Sequence, residues 1–312
     1  MKNKFVKITL TVICSILALF LLVFGGLNLL KFAIFSDYYS VKSDVCINPG
    51  LSDGFVCQGI CYYEEGEKFF VSGYMTGDSA SRIYVTDKNN ESYFVELQTE
   101  NKKFTGHAGG IAVHLDNVYI SSDSKIHVIP LSSLLSASNG DAVKITEQIP
   151  VNNKASFIYS DQNFLYVGEF YDGEKYKTEH SFSSLGVEHN AIVSRYLFEN
   201  LTSPDKIYTL PNKVQGICFY DGKVILSTSY GLSNSVYYVY NENDAKDLNY
   251  TLDGAPVFAL DNCINEVQGP AMAEGLDYYD GKVITLTESA SNKYIFGKFF
   301  FADKIVALDI LN

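Results

Sequence analysis

The sequence predicts an all-β domain, a β-propeller of four-stranded blades, behind one N-terminal transmembrane helix. Three observations carry this reading. Short runs rich in Val, Ile, Tyr and Phe recur from residue 40 onward, separated by Gly, Asp and Asn turns. A blade-opening unit also recurs, with aligned positions Gly59, Gly110, Ser156, Gly216 and Gly275 at spacings of 51, 46, 60 and 59 residues, which suit four short strands per unit. Finally, FYDGKVI (219–225) and YYDGKVI (278–284) differ only in their first residue.

Residues 214–240 are the clearest unit. Asp221-Gly222 is a two-residue hairpin signal, because a type I′ turn needs positive φ at both positions. The flanking runs are almost continuously apolar, so both faces of the sheet should be covered. Small antiparallel sheets buried on both faces suggest blades standing around an axis. Gly216, lacking a side chain, would let backbones approach closely at the crowded centre.

The chain opens with Lys2, Lys4 and Lys7, followed by an uncharged apolar stretch over residues 8–30. Some twenty such residues span a bilayer. The preceding lysines favour a cytoplasmic N-terminus and place the remainder outside the cell. The stretch is long for a signal peptide, and Phe32-Ala33-Ile34-Phe35 is too bulky for a cleavage site. A signal anchor over residues 1–35 is therefore expected, with a cleaved signal as the alternative, and the propeller occupies 36–312.

Five repeats follow in order. The first opens at Gln58 and continues through KFFVSGY (68–74), RIYVTD (82–87) and SYFVEL (92–97). The second comprises HAGGIAV (107–113), NVYISSD (117–123), KIHVIPL (125–131) and VKITEQI (143–149). The third comprises SFIYSD (156–161), FLYVGEF (164–170), AIVSRYLF (191–198) and KIYTL (206–210). The fourth is the clear unit, with its last strand expected within 248–260. The fifth has Glu274-Gly275-Leu276, KVITLTES (282–289) and KIVALDI (304–310), and is one strand short. A strand near 40–47 would complete it, closing the ring without an open edge. Five blades are favoured. Six remain possible, since 171–190 and 241–272 are long enough to hold further strands.

The net charge is −12. Residues 1–35 hold four lysines and no acid, which leaves 36–312 with 20 basic and 36 acidic residues. So acidic a domain is a poor nucleic-acid binder. Of the six cysteines, Cys14 lies in the apolar stretch, and Cys61 and Cys218 occupy the same position of the Gly-Ile-Cys unit, where buried thiols are expected. One disulfide among Cys46, Cys57 and Cys263 is possible, with the pair left open. No CxxC metal motif is present.

The QGI, HAGGIAV, YDGKV and EGLDYYDGKV openings resemble those of bacterial extracytoplasmic β-propeller proteins, over roughly residues 50–312. More distantly, the chain is similar to six-bladed gluconolactonase-like and NHL-repeat propellers. WD-repeat, PQQ-enzyme and kelch propellers rely on recurring tryptophans, and this chain has none. The gluconolactonase-like resemblance implies a divalent cation in the central channel, and Glu274 is the residue here that matches such a position.

In a propeller the first strand of each blade lines the channel. The residue before each opening position, Gln58, Gly109, Ala155, Gln215 or Glu274, should point to one channel mouth. Two amides and an acid there can bind a polar ligand or a cation. His107, in a Gly-rich loop, is a further ligand-binding candidate. Second strands end at the same mouth with Glu169, Thr228, Ser229 and Glu288, and Glu169, Glu274 and Glu288 together could bind a divalent cation such as Ca. Arg82 could meet an anion or pair with an acid. His180 and His189 flank an insertion and are read as solvated. No G-x-S-x-G elbow or phosphate-binding glycine loop occurs. The expected function is binding of a small polar ligand or an envelope protein partner at the channel mouth, with no cofactor beyond that possible cation. The alternatives are a metal-dependent hydrolase or lyase acting on a carbohydrate or lactone, and a structural part of an envelope complex. Whether the protein is an enzyme is left open.

Overall fold

The computed structural model describes residues 2–100, 102–184 and 186–311. Five antiparallel blades stand in a ring. Their innermost strands are Phe55–Tyr63, Gly110–His114, Phe157–Ser160, Val214–Tyr220 and Ala273–Tyr279, and each packs against the next, the last against the first. The long apolar runs are explained by this arrangement. In Lys223–Thr228 every residue after Lys223 is buried, because blades cover both faces.

Glycine at the axis is a steric requirement. A Cβ on Gly59 would lie 2.5 Å from Gly110 Cα, and one on Gly275 would lie 3.0 Å from Gly59 Cα. Apolar clusters fill the spaces between blades. One joins Phe70, Ile83 and Val85 of the first blade to Ile111, Val118 and Ile120 of the second. Another joins Ile60, Phe69 and Val71 to Ile284, Leu286 and Ile305 of the fifth.

The fifth blade is completed by Lys42–Ile47, antiparallel to Lys304–Leu308. Two expected fourth strands lie elsewhere. The 143–149 run splits at Thr146. Ala142–Ile145 adds in parallel to Ser92–Thr99 of the first blade, and Glu147–Pro150 is the outer strand of the second. In the fourth blade the outer strand is Cys263–Gly269, beyond the expected 248–260 window. The intervening Lys246–Leu252 and Ala255–Ala259 form a hairpin whose second strand extends the third blade in parallel with Lys206–Leu210. Asp253-Gly254 turns that hairpin with φ of 52° and 83°, and Ala255 and Val257 bury against Ile192 and Ile207.

Cys61 and Cys218 are buried. No disulfide joins Cys46, Cys57 and Cys263; the first two are buried singly and the third is exposed. Before the propeller runs a helix, Lys2–Ile34, whose segment Val6–Ile34 is long and apolar enough to cross a bilayer. A short helix, Ser36–Val41, links it to the closing strand and buries Tyr38 against Tyr237.

Candidate functional site

Three of the innermost strands begin with a register shift, between Cys57 and Gly59, between Val214 and Gly216, and between Ala273 and Leu276. Gln58, Gln215 and Glu274 are residues skipped by these bulges. A bulge residue leaves the ladder and its side chain is re-aimed. All three line a pocket of about 680 Å³ at one end of the axis, with Ala155 and His107 beside them. Gly109 sits at the axis, where a Cβ would lie 2.0 Å from the Ser156 carbonyl oxygen.

Glu274 and Glu288 form the acidic part of the pocket. Glu274 is 2% exposed, and Gln215 Nε2 reaches its Oε1 at 3.5 Å. Burial pushes its carboxyl well above the usual range, and the neighbouring Glu288 pushes the same way. Burial also raises the Glu288 carboxyl, to about 7, against the pull of Lys293 and of hydrogen bonds from Tyr294 and Gln58. The Gln58 Nε2 bond to Glu288 Oε2 is 3.0 Å. Two such carboxyls titrate as a coupled unit, and burial disfavours ionisation of both.

Above this pair the pocket wall turns basic. Lys154, Lys175, Lys177 and Lys293 all line it, in a chain whose net charge is −12. Lys293 donates to the Tyr74 hydroxyl, which stands 3.4 Å from that of Tyr294. The same ammonium lies 4.6 Å from the Tyr74 ring centroid and 4.9 Å from that of Tyr294. His107 completes this corner with its ring 4.5 Å from Tyr74. Burial in the pocket wall, with Lys293 nearby, holds its imidazole below the ordinary value.

Three sequence expectations are corrected. Glu169 does not stand with Glu274 and Glu288: it is buried, with Oε1 2.5 Å from His180 Nδ1 and Oε2 accepting from the Lys154 N–H at 3.3 Å. Arg82 lies off the pocket, 3.2 Å from Glu96 and 3.9 Å from the Phe94 ring centroid. The two insertion histidines are not solvated. His180 is raised chiefly by its bond to Glu169, and buried His189 bonds Thr209 Oγ1 at 2.8 Å. Among the described residues, no group of three or more His, Cys, Asp or Glu side chains is placed to hold a metal ion. Sequence reasoning missed the four lysines and the tyrosines. Lys175 and Lys177 lie in the third-blade insertion and Lys293 in a long fifth-blade loop, so their place at the mouth follows from which end of a blade each loop joins.

No protein-family profile and no curated protein sequence matches the chain. Among solved structures, a glutaminyl cyclase of Myxococcus xanthus is 7% identical, with a TM-score of 0.49 over 87% of this chain and 98% of that one. The computationally designed Ika4 protein is 11% identical, with a TM-score of 0.31 over 61% of this chain and 90% of that one. A chain of a nidogen/laminin complex is 11% identical, with a TM-score of 0.39 over 82% of this chain and 87% of that one. At these identities no activity transfers.

Proposed function

We propose that the protein is a membrane-tethered, extracytoplasmic propeller that binds a small polar ligand in its axial pocket. The N-terminal lysines and the apolar helix support a cytoplasmic N-terminus with the propeller outside. The observation that carries the binding reading is the Glu274–Glu288 pair beneath a lysine-bearing wall. A neutral carboxyl donates to a ligand oxygen and a carboxylate accepts from a hydroxyl or amine, and the Gln58 and Gln215 amides can do either. The lysines favour an anionic group on the same ligand. Sugar acids and small hydroxy or amino acids have this combination. Calorimetry of the full chain in detergent against such a panel is expected to find a ligand whose affinity falls about tenfold in Glu274→Gln, the cost of one good buried hydrogen bond. A panel with no binder, or a binder indifferent to Glu274→Gln, overturns the reading.

The same pair supports a second reading, a hydrolase or lyase acting on a carbohydrate or lactone. Carboxyls with raised and coupled proton affinities suit general acid–base chemistry. A divalent cation would draw on Glu274, Glu288 and the amide oxygens of Gln58 and Gln215. Its binding would require the Glu288 carboxyl to lose its proton, so affinity should rise as pH passes through about 7. Turnover of a lactone or glycoside that is lost in Glu288→Gln would favour this reading.

A further inference from the structure

The loop between the fifth blade's second and third strands lies at the pocket end of the axis. It gives the pocket Glu288, Lys293 and Tyr294. Its next seven residues, 295–301, read IFGKFFF. Ile295 is 68% exposed, Phe296 60% and Phe301 38%. Their one charge, Lys298, reaches back to Asn292 Oδ1 at 2.7 Å.

The apolar helix returns to this same loop. Asn28 Nδ2 donates to the Lys298 carbonyl at 3.1 Å, and the Phe301 N–H donates to Asn28 Oδ1 at 3.2 Å. Lys31 Nζ donates to the Phe301 carbonyl at 2.5 Å. The Phe299 ring lies 5.8 Å from Phe20 and 6.1 Å from Phe24, and Phe35 lies 6.0 Å from Phe300. The helix therefore leaves the propeller from the pocket face, with the exposed aromatic loop at its side. The 29 residues of Val6–Ile34 would measure about 43 Å, longer than the ~30 Å hydrocarbon core. The propeller-side turns, including Asn28 and Lys31, would then lie at the interface, where aromatic side chains are favoured.

We infer that residues 295–301 form a wedge that enters the lipid leaflet beside the helix and docks the propeller with its pocket face toward the bilayer. Apolar exposure continuous with a membrane-crossing helix fits lipid. Charge points the same way. Lys154, Lys175, Lys177 and Lys293 are exposed on this face of an otherwise acidic domain, complementary to anionic headgroups. The inference rests on the helix being retained as an anchor.

The chain has no tryptophan, so one substitution creates a single tryptophan that can be excited apart from the tyrosines. Full-length Phe296→Trp and Tyr220→Trp, the latter beside the Asp221-Gly222 turn at the opposite end of the axis, are reconstituted into phosphatidylcholine–phosphatidylglycerol vesicles with brominated acyl chains. Flotation checks the anchor separately. In floating vesicles the Phe296→Trp emission is expected to be blue-shifted and quenched roughly twofold or more, as for an interfacial aromatic, with Tyr220→Trp unaffected. Ile295→Trp gives a second reading of the wedge. If the chain floats yet Phe296→Trp and Ile295→Trp emit as in water, or Tyr220→Trp is quenched equally, the wedge is overturned. If the chain does not float, the anchor fails and the inference fails with it.

Discussion

At the end of the axis away from the pocket, the first hairpins of the fourth and fifth blades close in two-residue turns. Asp221-Gly222 has φ of 49° and 70°, and Asp280-Gly281 has φ of 50° and 78°, the geometry a twisted hairpin requires. Tyr220 and Tyr278, just ahead of these turns, stack at 3.8 Å. At the pocket end two connections are long, and their residues 171–190 and 289–303 supply Lys175, Lys177, Lys293 and Tyr294. These two turns set register and repeat almost verbatim. The long loops differ from blade to blade and carry the polar groups, as expected where a rigid scaffold presents variable loops.

Glycine substitutions test this contrast most severely. At the axis, Gly59→Ala places a Cβ 2.5 Å from Gly110 Cα, and two blades must separate, costing about 3 kcal/mol as for an overpacked core. At the opposite turn, Gly222→Ala meets no atom within 4 Å and pays only for its φ of +70°, about 1 kcal/mol. Urea unfolding of the two variants measures both; equal losses would contradict the steric role of Gly59.

The ends also differ in how they titrate. Glu288 in the pocket and Asp277 toward the other end are both raised to about 7, chiefly by burial. Asp277 accepts from the Tyr62 N–H at 2.6 Å and its own strand's Tyr278 N–H at 2.8 Å. In each case the folded state holds a proton that the unfolded chain releases at ordinary carboxyl pKa, near 4. Their contribution is full below that value and is lost as pH rises through about 7. Glu288→Gln and Asp277→Asn should each flatten the decline in melting temperature over this window by the equivalent of about one bound proton. Ligand binding should follow Glu288 alone.

Lys293→Ala removes the cation that favours ionisation of both pocket glutamates. The Glu288 titration should move above about 7, seen by carboxyl carbon resonance, while Asp277 stays in place. Arg82→Ala gives the smallest effect. Its pairing with Glu96 is partly exposed and worth less than about 1 kcal/mol, and ligand affinity should not change.

The parts legible in the sequence were those that every blade must solve in the same way. Turn dipeptides such as Asp280-Gly281 and axial glycines such as Gly275 answer to backbone geometry, and geometry repeats. Gln58, Gln215 and Glu274 precede those glycines, and all three line the pocket. The bulges that turn them inward were not visible. Arg82, Glu169 and the lysines depended on loop paths and on local partners, Glu96 and His180, that no repeat encodes. The Lys246–Leu252 and Ala255–Ala259 hairpin falls where the fourth blade's last strand was expected, within 248–260, while its apolar face belongs to the third blade.

Ring closure joins Lys42 to Leu308, 266 residues on. During synthesis the strand next to the helix emerges early and its partner emerges late. Until Lys304–Leu308 arrives, the Lys42–Ile47 strand and the growing edge of the sheet array both stand unpaired, open to misassembly or to an escorting chaperone. Such a pairing ties completion of folding to the arrival of Lys304–Leu308. A nascent chain stalled before residue 304 would still have its ring open.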